Sequence, residues 1–248
     1  MKATSSSGGL IPMVTPVSAQ SVPKKSVFRL GVGGRWSPHD LETCLASILK
    51  PMGWSVCSRE EACQNPGKSL PSSEQTIGVL EILPLGDGLA NDAVCKEDEE
   101  LDAVIISPLF RGSNAGSDEQ ARVVRKHLAR FVRQLKPGGA TIFAADDPAS
   151  DIFSSIRLDC QRLGYSLSGV TGAYRVVRAD RPEPVNPAHF RLIGPAGDTD
   201  WPIPSETSDR WPLALAVLAA VDVLGLSSIT KALGPLSVSI NQATAALV

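Results

Sequence analysis

Between Leu135 and Pro148 the chain runs Leu-Lys-Pro-Gly-Gly-Ala-Thr-Ile-Phe-Ala-Ala-Asp-Asp-Pro, an order that reads as a helix end, a turn, a buried strand and a strand-end acidic pair. Lys136-Pro137-Gly138-Gly139 predicts a helix stop, because proline lacks an amide donor and glycine reaches backbone angles that other residues avoid. Ala140 to Ala145 is a short apolar run of the kind found in strands covered on both faces. Asp146-Asp147-Pro148 then falls at the carboxyl end of that strand, where open α/β sheets form their ligand crevices.

The same alternation extends in both directions. Val27 to Val32 predicts a first strand, followed by a glycine-rich turn, Gly31-Val-Gly-Gly34. A helix follows to Lys50, with Ser37 as its cap, Pro38 in its first turn and Leu41, Leu45, Ile48 and Leu49 as its apolar stripe. Ile77 to Leu83 and Leu101 to Ser107 predict two more strands, joined by the polar, acidic stretch 90–100. Ser117 to Lys136 predicts a helix with Ser117 and Gln120 as a capping box and Leu128, Phe131, Val132 and Leu135 on its apolar face. Its Arg122, Arg125, Lys126, Arg130 and Arg133 are read as a solvated face in preference to an anion-binding surface.

Ile152 to Leu163 predicts a further helix. Tyr165 to Leu167, Arg175 to Arg178, Phe190 to Ile193 and Asp200 to Ile203 predict short strands. Helices over Trp211 to Leu224 and Ser227 to Leu233 close the chain. The expected fold is α/β: a three-layer, doubly wound, mainly parallel sheet with a small antiparallel flank.

At 248 residues and 43% hydrophobic content, there is material for one sizeable core or a core with an appendage. A formal net charge of −2 points to neither nucleic acid nor an anionic membrane as partner. The longest apolar stretch, Trp211 to Leu226, contains Pro212 and Asp222 and is read as a buried helix, not a membrane span. Cys44, Cys57, Cys63, Cys95 and Cys160 are odd in number and form no Cys-x-x-Cys pair. Unpaired thiols in a reducing cytoplasm are therefore expected, and a zinc site is not. Residues 1–26 are rich in Ser, Pro, Thr and Val without an acid, and are expected to be a disordered tail. A transit peptide is the alternative, against which stands the lack of any arginine before Arg29. His39, His127 and His189 are isolated, so no nucleophilic triad is arguable.

In order and spacing, four segments resemble the central, ATP-binding domain of the Mur ligase family, whose members add amino acids to a nucleotide-linked sugar-peptide in cell-wall synthesis. They are Val27 to Val56, the Val79-Leu-Glu-Ile82 strand, Phe131 to Pro148, and Ile203 to Leu233. The resemblance implies a P-loop-like middle domain over 27–236, with a short tail at 237–248. It leaves no room for the family's N-terminal substrate domain or its C-terminal domain.

It also implies a nucleotide site at Gly31, Gly33, Gly34, Arg35, Ser37, Asp146 and Asp147, and a magnesium ligand at Glu81. The residues fit that chemistry poorly. A phosphate loop needs backbone amides, a lysine and a hydroxyl for Mg²⁺, whereas this one reads Gly31-Val-Gly-Gly-Arg-Trp-Ser37, with Trp36 between Arg35 and Ser37. By the same resemblance, Leu128 stands where the family carries a carbamylated lysine, Ala144 where an asparagine contacts adenine, and Trp211-Pro212 where a His-Asn pair opens the alanine-rich helix. Asp146-Asp147-Pro148 also suits a simple helix cap.

The site is therefore expected to be vestigial, with no catalytic residue. ATP and Mg²⁺ would be cofactors only if it still works. The expected role is a binding or scaffolding module for another Mur-type ligase or cell-wall enzyme. A residual nucleotide-binding protein is the alternative. A methyltransferase-like Rossmann protein using S-adenosylmethionine is a further one, suggested by Leu30-Gly-Val-Gly-Gly34, Asp102 to Ser107 and Leu135 to Gly139.

Overall fold

A computed structural model describes residues 26–34, 36–59, 77–86, 99–108, 126, 128–147, 150, 159–166, 171–178, 189–195, 197–202 and 211–226. The expected elements at 90–98, 117–125, 152–158 and 227–233 lie outside these residues, as does Arg35.

Nine strands form one sheet: β1 (Ser26–Gly33), β2 (Trp54–Ser58), β3 (Gly78–Gly86), β4 (Leu101–Ile106), β5 (Leu135–Ala144), β6 (Gln161–Ser166), β7 (Tyr174–Arg178), β8 (His189–Gly194) and β9 (Gly197–Pro202). Their spatial order is β2-β3-β1-β4-β5-β6-β7-β8-β9. Every pair from β2 to β7 is parallel, and β7-β8 and β8-β9 are antiparallel, which is the expected mainly parallel sheet with an antiparallel flank.

Parallel strands need cover on both faces, and the apolar side chains sort accordingly. Helix α1 (Pro38–Leu49) and helix α3 (Trp211–Val223) cover one face, with Leu30, Val32, Leu80, Ile82, Ala103, Ile105, Ile142, Tyr165 and Tyr174 beneath them. Helix α2, at 128–133, covers the other with Leu128, Phe131 and Val132 over Leu83, Leu85, Val104, Ile106 and Phe143. The expected apolar stripe of α1 is buried throughout.

Several boundaries differ from expectation for definable reasons. Strand β2 was not anticipated: its apolar run is broken by two serines, yet Trp54, Val56 and Ser58 alternate inward. The expected helix stop at Lys136 is a strand irregularity instead. Helix α2 ends at residue 133, Leu135 pairs with Leu101, and the ladder resumes at Ala103↔Ala140. Residues 136–139 bulge out between these pairs, with Gly138 at φ 78° and Lys136 Nζ donating to Asp102 Oδ1 at 2.8 Å. Strand β6 begins at Gln161, so the helix expected to reach Leu163 cannot do so.

The glycine-rich turn also starts later than expected. Gly31 and Gly33 belong to β1, and only Gly34, at φ 98°, has turn geometry. A Cβ on Gly31 would lie 2.9 Å from Leu85 Cδ1, and one on Gly33 would overlap Leu128 Cδ2. These two glycines let α2 and β3 side chains press onto the backbone of β1. We expect Gly33→Ala to lower unfolding free energy by about 1–3 kcal/mol through overpacking. Urea denaturation should show Gly33→Ala with Leu128→Ala costing clearly less than the sum of the two single changes.

Candidate functional site at the carboxyl edge of the sheet

From β1 the chain travels outward to β2 and β3 on one side, then crosses to β4 on the other. The carboxyl ends of β1 and β4 therefore flank the topological switch point, where open α/β sheets hold ligands. The turn at Gly34, the start of α1 and the Asp146-Asp147 turn after β5 all lie on this carboxyl edge.

Trp36 dominates the geometry. Its ring stacks on Tyr165 with centroids 6.0 Å apart and planes inclined by 23°, within the range of offset aromatic pairs. Tyr165 is fully buried near the carboxyl end of β6, paired in register with Ala144, and its hydroxyl donates to the Ile106 carbonyl at 3.1 Å. The phenol thus reaches across β5 to the end of β4, and the half-buried Trp36 packs against the core on the α1/α3 face. Burial pushes the Tyr165 phenol well above the ordinary tyrosine value, helped by the nearby Asp147 carboxylate.

Of the other expected site residues, Ser37 occupies the N-cap of α1 in extended geometry, but its side chain makes no cap hydrogen bond. Asp146 is exposed and accepts hydrogen bonds from Ser166 Oγ, at 2.8 and 2.9 Å to its two oxygens, and from Thr171 Oγ1 at 3.1 Å. Asp147 is buried, and its carbonyl receives the Ser150 amide at 2.8 Å, as in a turn that opens a helix. Sequence reasoning did not anticipate Ser166 or Thr171, whose link to Asp146 depends on β5 and β6 being neighbours.

Glu81 stands apart from this edge. It pairs with Arg29 and Cys57 in the ladders, five residues before β3 ends at Gly86, or about 16 Å below the rim. Its Oε2 accepts from Arg29 Nε at 3.2 Å, and its Oε1 from Arg59 Nε and Nη2 at 3.1 and 3.0 Å. Arg59 Nη1 also binds Glu99 at 2.5 Å, and Asp102 receives the Arg29 amide at 2.7 Å and Lys136 Nζ. The Glu99 hydrogen bond, followed by that to Glu81, outweighs burial and holds the Arg59 guanidinium above its ordinary value. Both Glu81 oxygens therefore face guanidinium groups. Among the described residues no group of three or more His, Cys, Asp or Glu is arranged to hold a metal ion.

No family model matches this chain, and no curated protein does. Solved structures do. MurF from Acinetobacter baumannii matches at a TM-score of 0.58 and 16% identity, covering 85% of this chain and 46% of that one. MurF from Thermotoga maritima in complex with ADP matches at 0.55 and 12%, covering 84% and 48%. FolC from E. coli in complex with DHPP and ADP matches at 0.51 and 13%, covering 88% and 57%.

The chain has a Mur-ligase-like fold. At such identities the likeness establishes the fold alone, and the chain spans about half the length of the MurF ligases it matches. No helix among the described residues of this Mur-ligase-like chain is long and apolar enough to cross a membrane.

Two outcomes follow from the buried groups. Tyr174 donates its hydroxyl to Asp222 of α3, and burial and then that bond raise its pKa above the usual value. Tyr165 and Tyr174 both favour the protonated form in the folded state, so their contribution is complete below pH about 10 and is lost as pH climbs past it. Denaturation midpoints measured from pH 8 to 11.5 should fall above pH 10, and the Tyr165→Phe, Tyr174→Phe double variant should flatten that fall. Arg59→Met would leave Glu81 and Glu99 without a shared cation in a half-buried setting. A loss of about 1–3 kcal/mol in urea titrations is expected.

Proposed function

We propose that this chain is a Mur-ligase-like domain that performs no ligation and serves in the cytoplasm as a binding or scaffolding module, with a Mur-type ligase or another cell-wall enzyme as its partner. The observation that carries this reading is the stack of Trp36 on Tyr165 at the switch point, where a nucleotide would have to enter.

The groups on this edge do not fit a magnesium triphosphate. The sequence after Gly34 supplies Arg35, Trp36 and Ser37 where a phosphate loop supplies a lysine and a hydroxyl. Glu81 is engaged by Arg29 and Arg59 far below the rim. Leu128, in the position that the resemblance gives to a metal-binding lysine, is buried against Gly33. Phosphoryl transfer is catalysed almost entirely by positioning and charge. Each missing electrostatic contribution costs about 3 kcal/mol or more, and two together slow a reaction by about four orders of magnitude.

The core and the edge of the sheet together suit a module of this kind. The sheet, its two-sided cover and the register that positions the edge are intact, while the edge itself carries an aromatic stopper. A partner ligase shares this architecture, so a related surface is a natural place for it to dock.

ADP release should stay at background when the full chain is incubated with Mg²⁺, ATP, candidate amino acids and UDP-linked sugar-peptides. Calorimetry with ATP, ADP and UDP-sugars at millimolar concentration should show no heat. Sedimentation of the chain mixed with individual Mur-type ligases should show a complex with at least one of them. Robust ADP release would remove the reading, and the lack of any complex would remove the proposed partner class.

A further inference from the structure

We propose that the outward face of helix α1 is a self-association surface, on which a second copy of this chain docks antiparallel about a two-fold axis at Ala46. The inference goes beyond the proposed partner class and does not depend on whether the chain ligates.

Helix α1 buries Leu41, Cys44, Leu45, Ile48 and Leu49 on the side that packs against the sheet and α3. An open groove of about 560 Å³ runs along its other side, lined by His39, Glu42, Thr43, Ala46, Ser47 and Lys50. Charge sits at the two ends of this groove, and the side chains between them are small. Thr43, Ala46 and Ser47 are half-buried there. The Ser47 hydroxyl donates to the Cys44 carbonyl at 2.8 Å, so covering it strands no donor.

The spacing of the charges names the occupant. Glu42, Ala46 and Lys50 form one row at intervals of four, beside the row that contains His39, Thr43 and Ser47. The groove between two such rows is filled by the same kind of row on another helix, at an interaxial distance of about 8 Å where the side chains are small. Glu42 and Lys50 lie at equal distances on either side of Ala46, about 6 Å along the axis in each direction. A parallel mate in register would set Glu42 on Glu42 and Lys50 on Lys50. An antiparallel mate sets Glu42 of each copy against Lys50 of the other, twice, which is the self-complementarity of an isologous interface. Helix α1 has 12 residues and is about 18 Å long, so the contact is smaller than a standard interface of about 1,600 Å². A weak dimer that forms with rising concentration is expected.

Sedimentation velocity on the full-length chain, from about 1 μM to about 500 μM, should show a monomer–dimer equilibrium that added salt weakens. Glu42→Lys and Lys50→Glu should each weaken self-association at least about tenfold, because each sets like charges opposite one another. An equimolar mixture of these two variants should form a heterodimer, since every facing pair is again opposite in sign. The double variant Glu42→Lys, Lys50→Glu should dimerise like wild type for the same reason. Ala46→Arg, which fills the axis, should abolish the dimer while the circular dichroism spectrum is kept; if it does not fold, the charge variants decide. A chain that is monomeric at every concentration would overturn the proposal, as would a dimer indifferent to these changes or a mixture that does not associate. A monomer whose complex with a Mur-type ligase is lost in Glu42→Lys would give the face to that ligase and overturn the second copy as its occupant. The proposed lack of ligation is read by ADP release, which none of these measurements touches.

Discussion

Tyr165 sets the shape of the carboxyl edge. A phenol this deeply buried needs a partner for its hydroxyl, and it finds one in the Ile106 carbonyl across the intervening strand. That bond holds the ring near the carboxyl end of β6, and Trp36 stacks against it. Trp36 is delivered there by the turn at Gly34 and the immediate start of α1.

A separate lock holds the sheet nearer the amino ends of its central strands. Glu81, Glu99 and Asp102 are balanced by Arg29, Arg59 and Lys136, tying β1, β3, β4 and the bulge before Ala140 together. The charges are partly buried and mutually satisfied, so their value lies less in net stability than in the large cost of removing any one of them. Glu81 belongs to this lock by position and by bonding. Glu81, the residue that the resemblance marks as a magnesium ligand, here bridges Arg29 and Arg59.

Much of the architecture was legible in the chain because apolar periodicity follows burial directly. The stripe Leu41, Leu45, Ile48, Leu49 and the run Ala140 to Ala144 each fell where the pattern placed them. Strand β2 was hidden because Ser55 and Ser58 interrupt its pattern, and the Lys136–Gly139 stretch misled because proline and glycine mark bulges as readily as helix ends. At the candidate site the glycines were visible but their purpose was not. Gly31 and Gly33 serve close packing against Leu85 and Leu128, a reason set by strands distant in sequence. The Trp36–Tyr165 stack spans 129 positions and could not be read from either residue alone.

The decisive measurement is a crystal structure of the protein soaked with ATP and magnesium at high concentration. Trp36 should remain stacked on Tyr165, with no triphosphate against residues 31–37. An ordered, metal-bridged triphosphate at those residues, with the indole displaced, would contradict the view that an aromatic stopper has replaced nucleotide chemistry on this fold.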